Sequence, residues 1–522
     1  MPSISFSQFD GGIDLSRPAN IQDANRFRML RNAFVTPGKT VRKRPGARYR
    51  WSWGEGVKGL FSGPGYLTGF YGDGNDDAQA VTEYPFQQSA GRFLTTKLQA
   101  DGGGAAPGNM IAAIRTAFMT TGGMYVVADT DVGVRHFFVS GAADNAITDE
   151  RCPQWTTAIP IASKVFAGDA TGVVRFSATD NPADWSAAED AGFLPTDRKT
   201  RSLKQVVALG EFDGQLVVST GDAAQLWSVD PDPQAMSYQR TLAVGQVAGD
   251  TGANVGADLF FASPTGVRSI VLNSQHGNAM DLDVGVPVDK LAVPMFEESL
   301  TLPLLARYFP SLGQFWLIRG RRALVYSFSR TAKVYAWSEY EFPWPVTGAA
   351  DFAGAAWLRS AAGDIYELDP EYQYDDDADR AVAGLGEQRD PGLWTSTFPN
   401  EGRTIPAVLI ETPFFDMKSP AALKQIHAMD VVATRDLGNT VLIDGLPLEY
   451  RITHLFRSDS ASRLFEAGPI GLFSLGDDTR PQGVVPVGLM APSIAARIEH
   501  QAPESFELSA LIYHFDNLGV TG

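Results

Sequence analysis

The chain has 522 residues, 44% hydrophobic and 20% charged, which excludes wholesale disorder and leaves more apolar surface than one core usually buries. A net charge of −17 excludes a general nucleic-acid binder, because an acidic surface repels phosphate. The single cysteine, Cys152, excludes an internal disulfide and a CxxC zinc site, and agrees with folding in a reducing cytoplasm.

The first 50 residues hold ten Lys or Arg against three Asp or Glu, a balance of +7; the rest of the chain holds 33 against 57, a balance of −24. The opening MPSISFSQFDGGIDL lacks the charged and apolar blocks of a signal peptide. No apolar run reaches the roughly 18 residues that a membrane helix needs, so no membrane anchor is expected. The cations crowd into LRNAFVTPGKTVRKRPGARYR, Leu30 to Arg50, and residues 1–58 are read as a basic arm. Gly38, Lys39 and Thr40 have Ala33 where a phosphate loop needs its first glycine, so no nucleotide cradle is expected there.

Residues 59–372 repeat a loose unit: a glycine, a short apolar strand, a polar turn, and a strand ending in an aromatic residue. FDGQLVVSTGDAAQLWSVD at 212–230 and FAGAAWLRSAAGDIYELD at 352–369 are its clearest copies. Gly123, Gly172, Gly214, Gly256, Gly313 and Gly354 mark successive copies with gaps of 49, 42, 42, 57 and 41. Four short strands and their turns consume about 40 to 50 residues, so the period predicts the blades of a β-propeller, six or seven of them. A pair of sandwiches would show turns about every 8 to 12 residues without this longer beat.

The pattern stops in QYDDDADRAVAGLGEQRDPG, and 373–402 is read as an acidic loop or linker exposed to solvent. Fresh strands follow, from AVLIETPFFDM to FELSALIYHFDNL, so 403–522 is expected to be a separate C-terminal β-sandwich. The fold class is therefore all-β: a propeller with an N-terminal arm and a C-terminal sandwich.

No catalytic pattern emerges. His136, His276, His427, His454, His500 and His514 are scattered, and neither HExxH nor GxSxG occurs. DGNDD at 73–77 has the front of a calcium loop, but Ala78 and Tyr84 stand where the turn glycine and the bidentate glutamate belong. SATDNPADWS at 177–186 lacks the glycine and spacing of a sialidase turn, so Trp185 is read as blade packing. No enzyme activity, cofactor or metal is expected.

The stretch from Phe9 to Tyr49 resembles the N-terminus of tail proteins from short-tailed bacteriophages, the tail-nozzle (tail tubular B) and packaged-DNA stabilisation proteins. The matching positions are Gly11, Gly12, Asn32, Gly38, Lys43, Arg44, Pro45 and Gly46. NPADWS at 181–186, SPTGVRSI at 263–270 and SFELSALIYHFDNLG are similar to further phrases of these families. The resemblance implies a virion tail protein, made in the host cytoplasm. It would assemble as a ring, usually sixfold, against a tail adaptor or portal-proximal ring. It would carry tail fibres or spikes, retain packaged DNA, and touch that DNA non-specifically as it is ejected.

Within such a ring each interface joins two different patches, so a +7 arm beside a −24 body offers complementarity. Arg42, Lys43, Arg44, Arg48 and Arg50 are expected to dock on an acidic face of a neighbouring subunit or ring, with Pro45 and Gly46 fixing the turn. The alternative function is a propeller that binds or degrades glycans.

Overall fold

Short apolar runs broken by tight turns make strands the dominant element of the described residues, among which the α-helix is Asp289–Glu297. The computed structural model describes residues 2–18, 21–72, 84–85, 92–99, 108–140, 145–155, 157–199, 204–221, 223–242, 247–249, 251–256, 258–270, 284–297, 302–377, 403–419, 422–434, 450–457, 464–467, 485–500 and 505–520. Two units result, and neither follows the linear division expected from sequence. One comprises Tyr49–Gly320 and Trp344–Glu367; the other comprises Met1–Arg48, Arg321–Pro343 and Leu368–Gly522.

The first unit is a propeller built from seven successive sheets. The first contains Lys58–Gly63, Tyr66–Gly72, Arg92–Leu98 and Tyr84–Pro85, and the second Ile111–Thr120, Gly123–Thr130 and Gly133–Val139. Ala158–Ile161, Lys164–Gly168, Val174–Phe176 and Gly192–Leu194 form the third. Val206–Phe212, Gln215–Thr220, Ala224–Ser228 and Ser237–Leu242 form the fourth, and Ala253–Val255, Asp258–Ser263 and Gly266–Ser269 the fifth. Leu304–Phe309 and Gln314–Arg319 begin the sixth. The seventh joins Val346–Phe352, Ala355–Ser360 and Asp364–Asp369 to the N-terminal strand Gly46–Ser52.

Each sheet packs on the next. Phe70 and Ile111 meet Val126 and Phe137, Tyr125 and Val127 meet Val165 and Trp185, and Phe166 and Phe176 meet Leu216 and Trp227. Val217 meets Phe261, Phe260 lies edge-on to Phe315 at 5.3 Å, and Arg307 Nε donates to the Ala349 carbonyl at 3.3 Å. Trp53, Leu60 and Leu67 then meet Phe352 and Trp357. The seventh sheet thus closes on the first. Burying each large apolar side chain contributes about 1.5–3 kcal/mol, so these shared cores hold the ring together more than isolated polar links do.

The glycine beat has a local cause. Asp213–Gly214, with φ of 51° and 70°, joins Phe212 to Gln215, and Ala353–Gly354, with φ of 51° and 82°, joins Phe352 to Ala355. Both are two-residue hairpin turns that need positive φ at both central positions, where glycine carries no Cβ penalty. Gly172 marks the second turn of its sheet instead of the first, and the 57-residue gap between Gly256 and Gly313 contains the helix Asp289–Glu297.

Two sheets form the second unit. One runs Val485–Ala491, Ala422–Thr434, Glu507–Val520, Val41–Lys43 and Ala33–Val35, with Ser3–Phe6 also paired to Glu507–Val520. In the other, Met29–Arg31 lies between Val334–Glu341 and Val408–Glu411, followed by Ser493–His500, Tyr450–Arg457 and Leu464–Ala467. Phe6 stacks on Phe415 at 3.8 Å and Phe415 tilts against Tyr513 at 5.9 Å, joining the two faces of a sandwich. The expected arm 1–58 is therefore not an appendage. Residues up to Arg48 supply strands to both sheets, and the next ones belong to the propeller. The expected linker also begins too early, since Asp375–Asp376 pairs with Arg403–Thr404 as a short strand and both aspartates are buried.

Candidate functional site: the arginine cluster of the N-terminal segment

Arg44 follows the strand Val41–Lys43 and is wholly buried. An unpaired guanidinium could not survive there, so its surroundings must satisfy five N–H donors. They do. Nε donates to Asn32 Oδ1 at 3.0 Å, Nη1 to the Pro45 carbonyl at 2.9 Å and to Asp375 Oδ1 at 2.8 Å, and Nη2 to the Glu341 carbonyl at 2.7 Å and to Asp375 Oδ2. The Asp375 carboxylate thus grips the fork with both oxygens, and Oδ1 also accepts the Ala47 amide at 3.0 Å. The ring of Phe342 covers the guanidinium, 4.7 Å from centroid to Cζ.

Asn32 is the second half of this clamp. Its φ of 51° is a left-handed turn conformation that asparagine tolerates better than most residues. Its side chain accepts from Arg44 and from the Glu341 amide at 2.9 Å, and donates to the Ala407 carbonyl at 2.9 Å. Gly46 donates its amide to the Tyr372 carbonyl at 2.8 Å, and a Cβ there would collide with the Tyr374 carbonyl oxygen. Gly12 is likewise pressed against the backbone of Trp337.

The remaining cations of the segment are matched within the chain. Arg42 reaches Glu507 at 2.6 Å, Arg48 reaches Asp369 at 3.2 Å, Arg50 reaches Glu367 at 2.5 Å, Arg31 reaches Glu339 at 3.3 Å and Lys39 reaches Asp10 at 2.8 Å. Lys43 is buried, and its amide donates to the Phe506 carbonyl at 2.8 Å. Of the five cations expected to dock on a neighbour, acids of the same chain hold Arg42, Arg44, Arg48 and Arg50, and Lys43 is buried. Arg42 and Arg48 keep the most solvent access, with side chains 54% and 42% exposed.

A second, smaller network borders the clamp. Arg403 reaches Asp376 at 3.4 Å, and the Tyr372 hydroxyl donates to the same carboxylate. Burial and the adjacent Asp376 charge push the Tyr372 hydroxyl well above its ordinary value, keeping it a donor. Asp375 is the residue that sequence reasoning missed, because it heads a run of aspartates that looks like a solvated loop.

Other singled-out residues have structural surroundings. Gly38 and Lys39 lie in the hairpin turn between Ala33–Val35 and Val41–Lys43, not in a strand-to-helix cradle. Trp185 is 2% exposed, packed between the second and third sheets, and donates its indole N–H to the Pro182 carbonyl at 3.1 Å. Tyr125 bonds His136 Nδ1 at 2.7 Å beside Cys152, whose thiol burial pushes far above the usual range. His427 and His514 lie 2.9 and 3.2 Å from Asp516 and Asp430, and His500 stacks on Phe506 at 4.8 Å. Among the described residues no group of three or more His, Cys, Asp or Glu could hold a metal ion, and no helix is long and apolar enough to cross a membrane. The calcium-like DGNDD at 73–77, His276 and most of 373–402 lie outside the described residues.

No family model matches the chain, and no curated protein sequence does. Among solved structures it is similar to BamB from Moraxella catarrhalis, at 10% identity over 51% of this chain and 70% of that one, with a TM-score of 0.30. It is also similar to the Pan2 WD40 domain of Neurospora crassa, at 10% identity over 62% of this chain and 88% of that one, with a TM-score of 0.33. PorZ of the Porphyromonas gingivalis type-IX secretion system aligns at 12% identity over 63% of this chain and 38% of that one, TM-score 0.33. At these scores the alignments carry no functional inference, and the propeller is read from the chain's own seven sheets.

Proposed function

We propose that this chain is a non-catalytic structural subunit of a short-tailed phage tail, a nozzle or head-to-tail closure ring that retains packaged DNA and guides its ejection. One observation carries the reading. Positions matched to the tail-protein pattern on sequence alone, Asn32, Arg44, Pro45 and Gly46, converge on one clamp, with Lys43 buried beside it. A KRPG motif met by chance would be expected at the surface, solvated.

The clamp changes how a ring subunit would work. Cations locked onto this chain's own acids serve to build the subunit, and the contact between copies must come from other surfaces, with Arg42 and Arg48 contributing at most through their exposed sides. Negative-stain microscopy of the purified protein, alone and bound to virions, tests the reading. Closed rings at a tail tip are the expected result; isolated particles in both preparations would remove it.

A further inference from the structure

We propose that the corner between the third and fourth propeller sheets is a docking surface for a second copy of this chain, where unpaired cations meet acids of the neighbouring subunit. Among the described strands Gly192–Leu194 is an edge of the third sheet and Ser237–Leu242 an edge of the fourth. The first of these runs into the short 3-10 turn Thr196–Lys199, where Arg198 and Lys199 are exposed. Three contacts gather the corner. The Thr196 hydroxyl donates to the Gly172 carbonyl, and the Lys204 carbonyl packs so closely on Gly172 that a Cβ there would collide with it. Lys199 Nζ lies 4.6 Å from the centre of the Tyr238 ring in the fourth sheet, and Arg240 is exposed two residues further along the same strand.

These cations differ from those of the N-terminal segment. Among the described residues no carboxylate lies within ion-pair distance of Arg198, Lys199, Lys204 or Arg240. Asp197 stands in the same turn, while Asp230 and Asp232, in the loop before Ser237–Leu242, each give one carboxylate oxygen to a backbone amide. Four unpaired cations on one corner stand out in a chain that after residue 50 holds 33 cations against 57 acids. A head-to-tail ring contact joins two unlike patches, so a cationic corner calls for an acidic patch, and an identical copy carries acid in excess. Phe193 on the adjoining edge strand is 58% exposed, which adds an apolar anchor to the charges, the aromatic-and-arginine composition of a contact centre. A DNA duplex would use the cations but not that ring, and the net charge of −17 repels it. Once a neighbour's acids cover the corner, phosphate has no access to it.

The inference rests on the ring reading above, and the full-length chain tests the two separately. Arg198→Glu, Lys199→Glu and Arg240→Glu combined should raise the concentration for half-assembly in sedimentation by at least about tenfold, because like charges then face each other across the contact. All three side chains are exposed, so the thermal unfolding midpoint should stay where it is. A carbodiimide condenses a lysine amine with a carboxylate and itself takes up the water. Applied to mixed isotope-labelled and unlabelled copies, it should link Lys199 or Lys204 of one copy to an Asp or Glu of another. Unchanged assembly in the triple variant, or links from Lys199 and Lys204 confined to one copy, overturns the docking surface and leaves the ring standing. A parent chain that never assembles removes both. Retardation of a linear duplex by the parent that the triple variant loses would make phosphate the occupant and likewise overturns the proposal.

Discussion

Arg44 and Asp375 are useful only as a pair. Each alone is a buried charge, and removing one partner of such a pair typically costs about 3–5 kcal/mol, because the other is left without compensation. Arg44→Ala and Asp375→Ala should therefore each lower the midpoint of denaturant unfolding by that scale. Arg44→Met combined with Asp375→Leu should recover much of the loss, since neither charge then remains. A double-mutant cycle by urea denaturation checks this, and additive losses would mean the two groups do not communicate. The arginine was visible in the sequence as part of KRPG; its partner was not. A run of three aspartates at 375–377 reads as solvent-seeking, and only pairing with Arg403–Thr404 turns Asp375 and Asp376 inward. Composition reports how polar a segment is, whereas burial depends on which distant side chain meets it.

The hairpin turns of the propeller were legible because their cause is local. Asp213–Gly214 and Ala353–Gly354 announce a two-residue turn through the backbone conformation they must adopt, whatever surrounds them. Strand exchange has no such signature. Met29–Arg31 inserts between Val334–Glu341 and Val408–Glu411, partners more than 300 residues away, and nothing in three residues specifies that choice. Reading residues 1–58 as a basic arm follows chain order; the structure makes residues up to Arg48 contribute strands to both sandwich sheets and the next ones part of the propeller. Deletion of residues 1–48 should thus abolish the cooperative unfolding of the sandwich unit, because it breaks one sheet in the middle and strips three strands from the other. Hydrogen exchange is the direct measurement, with loss of protection in Ser493–His500 and Glu507–Val520 expected. Retained protection in those strands would restore the appendage view.

At the scale of the molecule, the balance of −17 takes a different meaning once the N-terminal cations are placed. Arg28, Arg31, Lys39, Arg42, Arg44, Arg48 and Arg50 all sit on carboxylates of this chain, so the positive segment does not offset the acidic surface as a free patch would. For a subunit lining a DNA conduit this is favourable: each phosphate held by a lysine or arginine adds to binding and slows sliding, with log K falling by about 0.9 per contact as log salt rises. The chain should therefore leave a linear duplex unretarded in a gel shift even at about 0.01 M salt, where the Debye length is roughly 30 Å and attraction is at its longest range. Releasing one pair should change that in a graded way. Glu507→Gln frees Arg42, whose side chain is already 54% exposed, and weak binding with a salt slope near one contact is expected. Tight binding by the unmodified chain, steeply salt dependent, would show that the cations reach phosphate after all, and the proposed conduit role would then require gripping DNA instead of repelling it.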